Sequence, residues 1–126
     1  MSFSKKIRQQ VYEKYGGRCA YCGIKLDIKD MQVDHFISKC DFDYMGKKDA
    51  PEQDDISNLM PACRMCNHYK RAHSLKLFRR MIEEIPRKCR DGYIYKIGVR
   101  YGLIEEHEKP IKFFFEQVEG AADDST

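Results

Sequence analysis

The sequence predicts an α+β domain, and three observations in its 126 residues carry that prediction. Two CxxC pairs, Cys19/Cys22 and Cys63/Cys66, stand with 40 residues between them. Two short apolar stretches, "MQVDHFI" and "NLMPAC", lie between the pairs and read as extended chain. Helical periodicity precedes the first pair and follows the second. The length fits one compact domain, and a composition of 42% apolar and 34% charged residues is that of a globular chain. No apolar run approaches the ~18 residues of a membrane-spanning helix. The opening "MSFSKKIRQQVYEKY" has no apolar signal core, so a cytoplasmic protein is expected, with no membrane partner.

Residues 4–15 predict a helix. Ser4 can cap it, and Ile7, Val11 and Tyr15 fall on one face at i, i+4 and i+8. Gly16-Gly17 ends it. "RCAYCG" is a cysteine knuckle in which Gly23 can take the positive φ of a tight turn. In "MQVDHFI", Met31, Val33 and Ile37 share one parity of a strand, with Asp34 and His35 beside them. Residues 38–57 form a connection that is polar and longer than usual. "NLMPAC" reads as extended because Pro61 biases Met60 toward β geometry.

From Cys63 the pattern is helical to about Glu84, with Leu75, Phe78 and Ile82 on one face, until Pro86 stops it. Residues 90–102 predict another helix, "PIKFFFEQV" an apolar strand, and "EGAADDST" a disordered tail. The organisation expected is a core at 1–85, an extension packed on it at 86–118, and a tail at 119–126.

Cysteine usage is the sharpest clue. Disulfides are rare in a cytosolic chain, and two CxxC pairs near turn residues point to a four-cysteine zinc site. Four thiolates fill a tetrahedral shell, so such an ion staples the fold and leaves no open position for catalysis. It would join the knuckle at 19–22 to the helix starting at 63–66, with the hairpin between them. That plan is a treble-clef-like ββα layout. Cys40 and Cys89 have no close cysteine partner and are expected to be packing or surface residues.

Net charge is only +3, but it is unevenly spread. Residues 1–22 carry Lys5, Lys6, Arg8, Lys14 and Arg18 against Glu13 alone. Between Asp55 and Glu83 there is no acidic residue, while Arg64, Lys70, Arg71, Lys76, Arg79 and Arg80 fall there. Two basic segments flanking the cysteine pairs suggest a polyanion partner; a solvated helix face is the plainer account of the same charges.

If Cys63–Cys66 begins a helix, Asn67 sits in its first turns and can project toward the hairpin. Asp34 and His35 are strand neighbours whose side chains leave on opposite faces, unless a bend aims both at one volume. A carboxylate and an amide oxygen suit a hard divalent cation such as Mg²⁺. Imidazole, which in general titrates near ~6.5, suits a general base.

"GGRCAYCG", "VDHFIS" and "DDISNLMPACRMCNHYK", in that order, resemble the zinc-containing branch of the HNH nucleases, the ββα-metal endonucleases, over about residues 7–72. The resemblance implies that Cys19, Cys22, Cys63 and Cys66 hold structural zinc. It implies His35 as general base, Asp34 and Asn67 as ligands of a catalytic Mg²⁺ or Mn²⁺, and Asn58 as the residue that fixes the loop and orients His35. Asn67 is placed ahead of His68, which lies about 100° further round the helix. Lys70 falls where the family often has a basic residue facing phosphate, and Arg64 and Arg71 are further nucleic-acid contacts. The reaction implied is hydrolysis of DNA, double-stranded in the first instance, leaving 5′-phosphate and 3′-hydroxyl ends. No recognition helix is visible, so specificity is expected to be low or lent by a protein partner. Two alternatives keep the cysteines and basic residues without needing Asp34, His35, Asn58 and Asn67 together: a non-catalytic zinc module that binds nucleic acid, and an accessory of bacteriophage assembly or packaging.

Overall fold

A computed structural model describes residues 3–37 and 55–124, with side chains described as far as residue 119. Cys40 and most of the long polar connection lie outside the described residues. The chain forms two compact units, Met1–Ser74 with Lys112–Thr126, and Leu75–Ile111. Among the described residues, no helix is long and apolar enough to cross a membrane.

The first unit opens with α1, Lys5–Glu13, capped by Ser4, whose hydroxyl accepts from the Ile7 amide at 3.2 Å. Gly16 and Gly17 end it at φ 67° and 78°, and a side chain at Gly17 would collide with the Tyr12 hydroxyl. Val11 is fully buried. Polar side chains on α1 serve as anchors. The Arg8 guanidinium donates to the Ile28 and Met31 carbonyls at 2.9 and 3.0 Å. Tyr12 donates to the Leu26 carbonyl at 2.7 Å, and Lys14 to that of Leu59 at 2.9 Å. Arg18 similarly reaches the Gly23 carbonyl at 2.9 Å. Three of the basic residues at the N-terminus are therefore tied to backbone oxygens, which composition alone could not distinguish from a phosphate-binding face.

The knuckle closes through Gly23, at φ 80°, whose amide donates to the Cys19 carbonyl at 3.0 Å. Strand β1 (Gln32–His35) pairs antiparallel with β2 (Leu59–Ala62), with Asp34 opposite Met60 and His35 opposite Leu59. Both expected extended stretches thus meet in one two-stranded sheet. Helix α2 (Arg64–Lys70) follows β2 directly. Cys63 caps it, its sulfur accepting from the Cys66 amide at 3.4 Å.

The single helix expected from Cys63 to Glu84 is broken. Arg71 leaves α2 with φ 52°, and a second helix, α3, runs Leu75–Glu83. With α4 (Ile85–Cys89) and α5 (Tyr93–Arg100), α3 makes up the second unit. Pro86 stands in the first turn of α4, where a missing amide hydrogen costs nothing. Within this unit the Ile111 amide donates to Glu83 at 2.8 Å, and Arg90 pairs with Glu106 and Glu108.

"PIKFFFEQV" is not a strand. Helix α6 spans Phe114–Asp124. The Glu116 carboxylate accepts from the Phe113 amide at 2.9 Å. The Phe114 and Phe115 amides donate to the Tyr21 and Ala20 carbonyls at 3.0 and 2.8 Å. Donors orphaned at a helix start are thus satisfied by the knuckle, and Phe113 and Phe115 are buried in the first unit's core. That docking overrides the β preference of the aromatic run.

Candidate metal and nuclease site

The hairpin and α2 bring the two halves of the zinc motif together. The sulfurs of Cys19, Cys22, Cys63 and Cys66 all lie within 4.8 Å of one another, and Cys22 and Cys63 are 3.8 Å apart. Tetrahedral bonds of ~2.3 Å from zinc to sulfur place the ligands about 3.8 Å apart, so the cluster has the size and the donor set of a four-thiolate zinc site. The Cys66 thiol, donating to Cys19, holds Cys19 far below the ordinary thiol range, to about 4, while burial pushes Cys22 up to about 11. Cys89 lies outside the cluster.

The oxygen-bearing residues gather on the neighbouring strand. Asp34, in β1, is buried, and its Oδ2 accepts from the Tyr21 hydroxyl at 2.5 Å. The same Oδ2 lies 3.1 Å from the Lys70 ammonium. Lys70 is fully buried; its Nζ also reaches the His35 carbonyl at 3.4 Å and lies 6.0 Å from the centre of the Tyr21 ring. Expected at a phosphate or on a solvated face, Lys70 instead bridges α2 to β1 from inside the fold. Burial, the Asp34 charge and the hydrogen bond together push the Tyr21 phenol well above its ordinary range. Tyr21 is therefore a neutral donor toward an acceptor carboxylate.

Asn58 is buried in the 3-10 turn Ile56–Asn58, which Asp55 caps by accepting from the Ser57 amide at 2.9 Å. Its side chain grips the residue two beyond His35: Oδ1 accepts from the Ile37 amide at 2.8 Å, and Nδ2 donates to the Ile37 carbonyl at 3.1 Å. Its own carbonyl accepts from the Phe36 amide at 2.8 Å. The chain leaving β1 is thereby clamped immediately after His35. The His35 side chain is half-buried, its ring centre 6.1 Å from that of Phe3.

Asn67 is half-buried on α2, and His68 next to it is exposed. Asn67 and Lys70 stand at i and i+3, which puts them on one helix face. Arg64 and Arg71 are exposed at the two ends of α2. Tyr21 is the site residue that sequence reasoning missed. The direction of a side chain inside a knuckle follows no period, so nothing in the spacing pointed it at Asp34.

Fold and site together define a ββα domain stapled by four cysteines. Residues 19–73 match the family model described as HNH endonuclease. Among solved structures, the chain is similar to "Crystal structure of the Type II-C Cas9 enzyme from Actinomyces naeslundii", at 19% identity and a TM-score of 0.47. That likeness covers 86% of this chain and 12% of the other, so the chain spans only a small part of that enzyme's length. No curated protein matches the chain.

Proposed function

We propose that the chain is a metal-dependent endonuclease that hydrolyses phosphodiester bonds of DNA, double-stranded in the first instance. The observation that carries this reading is the buried contact between Lys70 and Asp34. It seats the α2 face that bears Asn67 against the strand that bears Asp34 and His35. His35 takes the proton of the attacking water. Asp34 and Asn67 supply the oxygens for a divalent cation, Mg²⁺ or Mn²⁺. When bound, that ion supplies Lewis-acid stabilisation of charge on the phosphate and the leaving 3′ oxygen. The residues fit such a group: the hydrogen bond from Tyr21 and the close approach of Lys70 both fall on Oδ2 of Asp34. Asn58 holds the backbone beyond His35 and so sets where its imidazole stands. The i, i+3 relation to Lys70 favours Asn67 over His68 as the ligand from α2. Arg64 and Arg71 contact backbone phosphates, and that affinity weakens steeply with salt. Zinc on the four cysteines holds the scaffold.

Supercoiled and linear DNA incubated with the zinc-loaded protein, with and without added Mg²⁺ or Mn²⁺, tests the reading. Cleavage that requires the added cation and that His35→Ala abolishes, with zinc content and melting unchanged, is expected. Retained cleavage by His35→Ala in a preparation free of host nuclease overturns the assignment of the base. A second reading, a zinc module that binds nucleic acid without cutting it, needs only the clustered cysteines and the exposed Arg64 and Arg71. Salt-sensitive DNA binding with no cleavage in either metal would support that reading.

A further inference from the structure

Resting on the nuclease reading, we infer that Tyr21 is a positioning residue for the metal-binding carboxylate: its hydroxyl and the Lys70 ammonium together hold Oδ2 of Asp34, leaving Oδ1 for the cation. Tyr21 lies between Cys19 and Cys22, so the zinc knuckle itself delivers the hydroxyl. The 2.5 Å contact with Asp34 is buried, and Tyr21 is 3% exposed.

The tyrosine has little freedom to move. The neighbouring Ala20 amide donates to the Pro61 carbonyl of β2 at 2.8 Å, and the Tyr21 carbonyl accepts from the Phe114 amide at 3.0 Å. Phe113 and Phe115 meet its ring edge-on, at 5.5 and 6.2 Å between centroids. Backbone and ring are therefore fixed from both sides, and the hydroxyl is delivered to one point.

The consequence for Asp34 follows from the geometry of a carboxylate. An ionised carboxylate only accepts hydrogen bonds, and it can turn about its terminal torsion. With Lys70 alone beside it, either oxygen could meet the ammonium, and the group could turn to satisfy it with both. A second donor, fixed independently on Oδ2, sets the plane of the group and keeps Lys70 off Oδ1. A ligand held in advance loses less freedom when it binds, and outer partners of metal ligands commonly govern affinity by about 10–100-fold. The sulfur-bound ion thus acts beyond shaping the chain, because the segment it pins orients the oxygen ligand.

Tyr21→Phe in the full zinc-loaded chain tests this, since it keeps the ring and deletes only the donor. Mn²⁺ binding, read by calorimetry and by the loss of the free-ion electron paramagnetic resonance signal, is expected to weaken by about tenfold. Zinc content and DNA binding without added Mg²⁺ or Mn²⁺ should stay as in the wild type. Unchanged Mn²⁺ affinity in Tyr21→Phe, with binding abolished in Asp34→Asn, overturns the inference and leaves the nuclease reading standing. Binding that Asp34→Asn does not alter overturns both. A readout in the wild-type protein covers the case in which Tyr21→Phe fails to fold. The Tyr21 hydroxyl proton, protected by burial, should shift in the NMR spectrum when Mg²⁺ is added to zinc-loaded protein. A resonance that does not move with saturating Mg²⁺ overturns the inference.

Discussion

Lys70 and Asp34 form an ion pair inside the first unit, Nζ to Oδ2 at 3.1 Å, with side chains 0% and 7% exposed. At that burial neither charge has water to stabilise it, so each depends on the other and on the Tyr21 and His35 groups that complete their bonding. The pair joins the end of α2 to the middle of β1. It is a fold contact and, in the proposed nuclease, a site contact at the same carboxylate.

Replacing Lys70 by Met removes one charge and strands the other. Loss of a single partner from a buried pair costs about 3–5 kcal/mol, so Lys70→Met should lower the urea midpoint sharply. Asp34→Asn/Lys70→Met should lose clearly less than the two single variants added together, because each removes the other's stranded charge. Strictly additive losses would show that the two residues are not coupled.

Removal of one of the clustered cysteines, a zinc ligand in the proposed site, is a larger insult. Cys63 supplies one of the four clustered sulfurs and also caps α2. Structural zinc contributes about 10–16 kcal/mol in small folds that depend on it, comparable to or above the ~5–15 kcal/mol total stability of a domain. Cys63→Ala should therefore lose zinc and the circular-dichroism signature of a folded first unit, and a strong zinc chelator should do the same to the wild type. A soluble Cys63→Ala protein with a native melt would remove the staple.

Part of this arrangement was legible in advance. The CxxC spacing announced the sulfur cluster, Pro61 and the alternation around Val33 announced the hairpin, and Ser4 and Gly16-Gly17 marked the ends of α1. These are local signals, each set by a residue's own backbone preference or ligand chemistry. What stayed hidden depends on distant partners. "KFFF" has the composition of a strand, yet it starts a helix because distant knuckle carbonyls take its amides, Phe114 to Tyr21 and Phe115 to Ala20. Lys70 looks like a surface charge until β1 buries it against Asp34, and Lys14 until its ammonium meets the Leu59 carbonyl of β2. The break at Arg71 carries no glycine or proline to announce it.

Asn58 offers a test of the loop clamp. Asn58→Ala deletes both side-chain bonds to Ile37 and leaves that residue's amide and carbonyl short of partners. Unmet groups of this kind cost about 1–3 kcal/mol when buried, and these are partly buried, so a loss near the lower end is expected. Hydrogen exchange at the Ile37 amide should accelerate. Cleavage should fall more than stability does, because His35 stands two residues away. Asn58→Ala with unchanged exchange at Ile37 would show that the clamp is held by other contacts.

Arg71 separates fold from substrate. It is exposed, and its backbone at φ 52° and ψ −132° lies where glycine is favoured. A sparsely populated positive-φ conformation of this kind costs a side-chain-bearing residue about 1–3 kcal/mol, whereas glycine adds a chain-entropy cost of about 0.5–1 kcal/mol. Arg71→Gly should therefore melt at the wild-type temperature or slightly above. If the guanidinium meets a DNA phosphate, the same variant binds more weakly across all sequences, and its log–log dependence on salt becomes shallower by about one unit. Fluorescence anisotropy with a labelled duplex over a salt series measures both quantities. Lower stability would show that Arg71 makes a contact worth more than its strain, and an unchanged salt slope would remove it from the DNA interface.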